Sequence, residues 1–185
     1  DAVTDEEKIA AIRHHFGRIM ETLGLDLADE SLRETPQRVA KMFVKEVFSG
    51  LDQRNSPTIT TFENTYGYSE MLVEKDITLH SFCEHHFLPI IGKAHVAYIP
   101  GPRVVGLSKL NRLVKHFARR PQVQERLTMQ IAQALEDALG TGDVAVHIVA
   151  DHLCVAARGV EDTQSETVTS YFGGRFQRAE ERNAF

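Results

Sequence analysis

The order and grouping of the predicted elements indicate an α+β fold with an antiparallel sheet. Helical periodicity comes first, two β-favouring runs follow, two amphipathic helices come next, and two further strands close the chain. Strands that occur in groups, rather than alternating singly with helices, favour an antiparallel sheet over βαβ units. The 185 residues, 42% of them apolar, suffice for one ordinary domain with a real core.

Two helices are predicted at the start of the chain. The first carries apolar residues at helical spacing and is expected to end at Gly24. The second is expected to begin at Thr35 and Pro36, because threonine caps free N–H groups and proline suits the first helical position. Gly50 ends it, and residues 51–57 are predicted to form a loop. We therefore predict an N-terminal helical segment, residues 1–56, before a second unit, residues 57–185.

The second unit is predicted to contain four strands and two helices. The strands are expected at Met71–Leu79, Lys93–Ile99, Val144–Val155 and Thr167–Phe172, with Pro89 and residues 100–102 as breakers. Ser108 is expected to cap the first helix. Pro121 is expected to start the second, which Gly140 ends. Both helices carry one apolar face and should pack on the sheet.

Composition excludes several classes of protein. The formal charge of −5 offers no bulk attraction to a nucleic acid. Two cysteines make no disulfide framework, which favours a reduced, cytoplasmic setting. No apolar stretch is long enough for a membrane span, and the acidic N-terminus is unlike a signal peptide. We therefore predict a cytoplasmic protein with neither a nucleic-acid nor a membrane partner.

The densest chemical segments suggest a metal site. Cys83 and His86 are three residues apart, a spacing that places both side chains on one side of a tight turn or helical turn. His152 and Cys154 are two apart in the predicted strand and should share a face. Cys83, His86 and Cys154 would supply the three protein ligands of a catalytic zinc site and leave His85 and His152 free to move protons. The alternatives are buried cysteines that act as small apolar residues, or a closed structural site with His85 or His152 as fourth ligand.

A second cluster suggests an anion site. Ser108, Lys109 and Arg112 would line a helix N-terminus, where free N–H groups and a partial positive charge suit phosphate. On spacing alone, a capped helix with solvated cations is the more common explanation. Gln124 and Glu125 begin the next helix, where a glutamate ordinarily offsets the helix dipole.

Taken together, these segments resemble the GTP cyclohydrolase I family. The similarity covers nearly the whole chain from about residue 8 onward. The matching blocks occur in order at Thr35–Met42, Cys83–His86, Val105–Arg112, Arg119–Thr128 and His152–Gly159.

The resemblance implies a tunnelling fold and a homo-oligomer. In such a fold, a four-stranded antiparallel sheet with two packed helices follows an N-terminal helical segment. Subunits join their sheets into a barrel-like pentamer, two pentamers stack into a decamer, and active sites lie between subunits. The second unit, residues 57–185, would then be the catalytic tunnelling-fold domain.

The resemblance also implies roles for individual residues. Cys83, His86 and Cys154 would bind Zn2+. His152 would protonate N7 of the purine, His85 would be a second acid–base residue, and Ser108 would lie near the phosphates and the ribose-derived chain. The expected triphosphate ligands are Lys109, Arg112, Arg158 and, from another subunit, Arg38. Glu125, with Gln124 beside it, would anchor the guanine edge, because a carboxylate accepts two hydrogen bonds there.

The implied reaction converts GTP into 7,8-dihydroneopterin triphosphate and formate, the first step of folate and tetrahydrobiopterin synthesis. Water attacks C8, the imidazole ring opens, formate leaves, and the ribose opens, rearranges and closes on the freed amine. The rival hypotheses are a tunnelling-fold protein with another reaction and a non-catalytic protein with structural zinc. A base deaminase is not favoured, because its His-x-Glu and Pro-Cys-x-x-Cys signature is absent from the sequence.

Overall fold

The structure is a computed structural model that describes residues 3–185. Its helices are α1 (Asp5–Thr22), α2 (Thr35–Met42), α3 (Leu107–Ala118), α4 (Gln124–Leu139), α5 (Leu153–Ala156) and α6 (Ala179–Ala184). Its strands are β1 (Thr61–Glu63), β2 (Leu72–Cys83), β3 (Pro89–Tyr98), β4 (Arg103–Val105), β5 (Pro121–Gln122), β6 (Val144–His152) and β7 (Thr167–Phe172). The mixed α+β class predicted from the sequence is confirmed.

The main sheet has the strand order β5-β2-β3-β6-β7. Strands β2, β3, β6 and β7 pair antiparallel, as predicted for a four-stranded sheet. The two-residue strand β5 adds a parallel edge beside the end of β2, where Cys83 pairs with Gln122. A separate two-stranded sheet of β1 and β4, which the sequence analysis missed, lies at the entrance to α3.

One face of the sheet and two helices enclose the main core. Along β3 and β6 the alternate residues that face this core are completely or almost completely buried. Helices α3 and α4 bring their apolar stripes to the same cluster, including Leu110, Val114, Leu127 and Ile131. Each such side chain contributes roughly 1.5–3 kcal/mol when it is fully buried. This packing confirms that two helices lie on the sheet.

Gly92 sets the close approach of β3 to β6. It pairs with Ala150, two residues before His152. An added Cβ at Gly92 would lie 2.1 Å from the carbonyl oxygen of Val149 and 2.5 Å from the Cα of Ala150. Backbone atoms cannot yield as a flexible side chain does, so only glycine fits at this position in the sheet.

The N-terminal segment differs from its prediction in detail. Thr4 forms a capping box with Glu7 at the start of α1, and Gly24 follows its end with φ +84°. Thr35 is the first residue of α2 and not its cap, because Glu34 occupies the capping position without a side-chain hydrogen bond. After α2 the chain continues as a π-helical turn, Phe43–Val47, and two short 3-10 turns replace most of the predicted loop.

The predicted strand Val144–Val155 is too long. Strand β6 ends at His152, opposite Ile90, and the next position along β3 is Pro89, which has no N–H to donate. Strand β7 pairs with β6 only as far as Ala150. Without partners beyond His152, the chain turns into the short helix α5, so Cys154 lies on a helical turn and does not share a strand face with His152.

Three predicted element boundaries are also wrong. Gly106, not Ser108, precedes α3, because β4 ends at Val105 and leaves a single connecting residue. Pro121 lies in β5, and α4 begins only at Gln124. Pro89, expected to break a strand, is instead the first residue of β3, a position that does not require an N–H donor.

None of the helices within residues 3–185 combines the length and the apolar content needed to cross a bilayer.

Candidate active site

The side chains of Cys83, His86 and Cys154 converge at one corner of the sheet. Their ligand atoms all lie within 4.8 Å of one another, and both cysteines are free thiols. Tetrahedral zinc with Zn–S bonds of about 2.3 Å would hold two sulfur atoms about 3.8 Å apart. Two thiols and an imidazole are also donors that zinc prefers. The three residues therefore fit a metal ion after only a small contraction.

The turn that carries Cys83 and His86 is held by backbone hydrogen bonds. The N–H of Phe87 donates to the carbonyl of Cys83 at 2.8 Å, and the N–H of Cys83 donates to the carbonyl of Leu88 at 2.8 Å. Phe87 adopts φ +54°, an unusual conformation for a residue with a bulky side chain. Its ring packs on Phe48 with 5.0 Å between centroids and on Phe43 with 6.1 Å. These contacts offset the backbone strain at the active-site turn.

An ion pair that the sequence analysis did not anticipate connects the turn to α4. Arg126 donates from Nη2 to the Glu84 carboxylate, and from Nε to Oε1 of Gln122 at 3.0 Å. The N–H of Glu84 also donates to the carbonyl of Gln122 at 3.0 Å. Glu84 thus fixes the segment between two of the converging side chains. Its adjacency to Cys83 was the only signal in the sequence, and nothing there pointed to Arg126.

His85 lies beside the converging group without being part of it. Its Nδ1 is 3.7 Å from Sγ of Cys83, and its Nε2 is 4.0 Å from Oε1 of Glu84. The residue is exposed, so its imidazole is open to a ligand. This position is compatible with an acid–base role close to the converging group.

The thiols influence each other. Burial raises the pKa of the Cys154 thiol, and the neighbouring Cys83 thiol raises the pKa further. Arg158 acts in the opposite direction on this pKa. A bound cation would lower the pKa of the Cys154 thiol instead, because a thiol that coordinates a metal is deprotonated.

His152 is oriented by a buried glutamine. Its Nε2 lies 2.7 Å from Oε1 of Gln124, whose side chain is almost completely buried. The amide nitrogen of Gln124 donates to the carbonyls of Ile148 and Thr167 and to the hydroxyl of Thr169, at 2.9–3.2 Å. These bonds fix the amide orientation, so Oε1 accepts a proton-bearing Nε2. The proton that His152 can exchange is therefore the one on Nδ1.

Opposing effects act on the same imidazole. Burial lowers the pKa of His152, whereas the nearby carboxylates of Glu125 and Asp151 raise it. Glu125 is exposed at the first turn of α4 and thus lies near His152 with its carboxylate available to a ligand. Gln124, by contrast, has both polar side-chain atoms, Nε2 and Oε1, hydrogen-bonded within the chain. In the structure, Gln124 therefore orients His152. Nothing in the sequence around Gln124 indicated this role.

The predicted phosphate ligands are only partly brought together. Arg158 reaches the metal corner, where its Nη1 donates to Nε2 of His86 at 3.4 Å. Ser108 and Lys109 lie in the first turn of α3, and Arg112 is exposed one turn later. Arg38 is exposed on α2, and within residues 3–185 its side chain makes no hydrogen bond or ion pair.

Comparison with known proteins agrees with this arrangement. The family model described as GTP cyclohydrolase I matches residues 12–185. The chain is 60% identical to the GTP cyclohydrolase 1 of Flavobacterium johnsoniae, over 99% of this chain and 82% of that relative. It is 57% identical to the GTP cyclohydrolase 1 of Aeromonas hydrophila, over 96% of this chain and 81% of the relative. A match over this length, with the converging Cys–His–Cys group in place, shows that the chain belongs to the GTP cyclohydrolase I family.

Proposed function

We propose that this protein is a GTP cyclohydrolase that converts GTP and water into 7,8-dihydroneopterin triphosphate and formate. The convergence of Cys83, His86 and Cys154, the last of these two residues after His152 in the chain, is the observation that carries the proposal. Family membership supports it, because the same activity is named for relatives that match nearly the whole chain.

The metal of the proposed site is zinc, held by Cys83, His86 and Cys154. Its chemistry there would be to activate a water for attack on C8 of the purine near neutral pH. Neither His85 nor His152 belongs to the group whose ligand atoms lie within 4.8 Å of one another, so the three residues would leave one coordination position to water.

The two remaining histidines supply the proton transfers. His152 presents Nδ1 to the substrate while Gln124 holds Nε2, so the ring can deliver a proton to N7 without turning. The exposed His85 serves the later steps, in which the ribose opens and rearranges. A histidine pKa lies near the operating pH and suits both tasks.

The substrate is bound by a carboxylate at one end and by cations at the other. Glu125, with Gln124 beside it in the chain, accepts from the guanine N1–H and amino group. Lys109, Arg112 and Arg158 bind the triphosphate, together with Arg38 from another subunit. Ser108 lies near the phosphates at the start of α3, where free N–H groups favour anions.

The proposed assembly is a decamer of two stacked pentamers in the tunnelling fold, with active sites between subunits. Arg38 is exposed on α2 and its side chain has no partner within residues 3–185, which is consistent with a role in a neighbouring site. We also propose that the N-terminal helical segment ends at residue 56, before the catalytic domain, and that the protein is cytoplasmic.

The decisive experiment combines metal analysis with product analysis. GTP is incubated with the purified protein, formate is measured, and the pterin is detected by fluorescence after oxidation. We expect about one zinc per chain and formate release from GTP. A protein that contains zinc but releases no formate would instead be a structural zinc protein or an enzyme of another reaction.

The variant Cys154→Ala should lose zinc and formate release together, because two protein ligands seldom retain the ion. We expect activity to fall at least about a thousandfold, in line with the loss of an essential group. Val155→Ala, one residue away and half exposed, is the matched control and should keep both properties. An active Cys154→Ala enzyme without zinc would refute the assignment of the metal site.

A further inference from the structure

A basic pocket lies between α3 and the segment that follows α2. It has a volume of about 410 Å³, within the range of small-molecule sites. One wall is lined by Arg112 and Lys115 of α3 and by Arg119, the residue that caps its end; the three lie at helical spacing on one stripe. From the opposite wall it is lined by Lys45, Ser49 and Asn55. No carboxylate is among its lining residues in the described part of the chain.

The cations of the stripe are not neutralised within the chain. Across residues 3–185, no ion pair or side-chain hydrogen bond involves Arg112, Lys115 or Arg119. Lys45 differs, because it pairs with Asp5 outside the pocket. Like charges about one turn apart on a helix repel each other, so the stripe is destabilising until an anion binds. Lys115 lies in the last turn of α3 and Arg119 is the capping residue that follows it. Cations at a helix C-terminus offset the helix dipole, but this does not account for Arg112.

The floor of the pocket is preformed. The N–H of Gly50 donates to the carbonyl of Arg119, and Nη2 of Arg120 donates to the carbonyl of Gly50, both at 2.8 Å. An added Cβ at Gly50 would lie 2.2 Å from the carbonyl of His116, so the two walls meet as closely as their backbones allow. His116 is a neutral part of this wall, since its Nε2 accepts from Arg120 and burial lowers its pKa. A site that needs no rearrangement binds its ligand at lower cost.

From this geometry we infer that the pocket is a phosphate-binding site in which Lys115 and Arg119 contact an anion with more than one phosphate group. The stripe from Arg112 to Arg119 spans about 10 Å along the helix, which is too long for a single small ion to bridge. The guanidinium groups match phosphate oxygens in pairs, and Lys115 adds a point charge. Arg112 lies at the border between this pocket and the proposed triphosphate site.

The ligand has one of two sources. The triphosphate tail of the substrate could extend past Arg112 into the pocket, or a separate phosphorylated compound could occupy it. Both ligands would present phosphate groups to the pocket. Lys115 and Arg119 would affect the binding of GTP only if the ligand is the triphosphate tail.

Inorganic pyrophosphate is the probe, and calorimetric titration of the zinc-loaded protein is the measurement. We expect Lys115→Gln/Arg119→Gln to weaken pyrophosphate binding at least about tenfold, because the loss of each charge-assisted hydrogen bond lowers the affinity severalfold. The control Arg13→Gln/Lys41→Gln removes the same charge from exposed positions on α1 and α2 and should bind like the parent protein. Lys109→Gln/Arg158→Gln removes cations of the proposed triphosphate site outside this pocket. It should lose pyrophosphate binding at that site and retain the binding that depends on Lys115 and Arg119.

Pyrophosphate binding requires no turnover of GTP. Failure of this inference can therefore be distinguished from failure of the proposed function. Unchanged binding in Lys115→Gln/Arg119→Gln overturns the inference, as does loss confined to Lys109→Gln/Arg158→Gln. Should the double variant fold poorly, the exposed single variant Lys115→Gln must still show weaker and less salt-dependent binding. If the double variant also raises KM for GTP, the substrate tail occupies the pocket, whereas an unchanged KM assigns it to a separate phosphorylated compound.

Discussion

The metal corner and the basic stripe of α3 differ in how their polar groups are satisfied. At the metal corner, Gln124 makes four hydrogen bonds that hold His152 against two strands and α4. Glu84 and Arg126 hold the neighbouring turn. On α3, Arg112 and Lys115 extend from the helix without any internal partner in residues 3–185.

The first region holds groups that must keep one orientation. The second holds cations that need only attract an anion. A proton-transferring imidazole needs a fixed tautomer and direction, and a metal ligand needs a fixed distance, so both are supported by further hydrogen bonds. A cation that neutralises phosphate acts over a longer range and tolerates movement. Changes at the first region should therefore reduce kcat, and changes at the second should raise KM.

Among variants that leave Cys83, His86 and Cys154 intact, the largest effect is expected from Gln124→Ala. Loss of the acceptor frees His152 to rotate and leaves its Nε2 proton unpaired, so kcat should fall about 10–100-fold while KM stays nearly constant. The free energy of unfolding should fall by about 1–3 kcal/mol, since buried polar groups lose their partners. Gln124→Glu, which can still accept from His152, should recover part of the activity.

Steady-state kinetics, zinc content and thermal melting would measure these effects. The control Gln133→Ala removes an exposed glutamine from the same helix, where it bonds only to Asp137. A Gln124→Ala enzyme with normal kcat would contradict the orienting role of Gln124.

The next effect is expected from Glu125→Gln. The amide keeps one acceptor but loses the charge, so KM for GTP should rise about tenfold with zinc content unchanged. Binding and metal analysis would be compared with Glu30→Gln, an exposed glutamate far along the sequence from the site. Equal GTP affinity in the two variants would show that the guanine edge is bound elsewhere.

A smaller effect is expected from Lys109→Gln in the first turn of α3. Lys109 is half-buried and still reached by water, which weakens its attraction for phosphate, so KM should rise by about fivefold or less, with kcat preserved. The effect should shrink as salt is added, because salt screens exposed charges. Lys75→Gln is the matched control on β2. A fall in kcat with unchanged KM would break the distinction between the two regions.

The smallest effect concerns stability in acid and involves an ion pair in the segment that follows α2. The Arg54 guanidinium lowers the pKa of Asp52 from 3.8 to about 2. Because the pKa is lower in the folded chain, this stabilisation is fully present above about pH 4 and is lost as the pH falls through 2. Asp52→Asn should therefore melt slightly below the parent protein at pH 7, and the difference should vanish near pH 2. A difference that persists there would point to another cause.

Local pattern was enough to predict most of the fold. Helical periodicity located α1, α3 and α4, and the β-favouring runs located the four antiparallel strands, because burial of one face imposes a period on the sequence. The boundaries were less predictable. Strand β6 ends where β3 offers no further partner, and that pairing is a long-range property absent from the local sequence.

By itself, the sequence determined which residue types can bind a metal and bind phosphate, since thiols, imidazoles and cations are recognisable wherever they lie. Only the tertiary structure decided how they are supported. It brought Cys154 to Cys83 from a helical turn rather than from a strand, and it placed Gln124 behind His152. Both results depend on contacts between residues far apart in the chain, which pack together only once the sheet and α4 have formed.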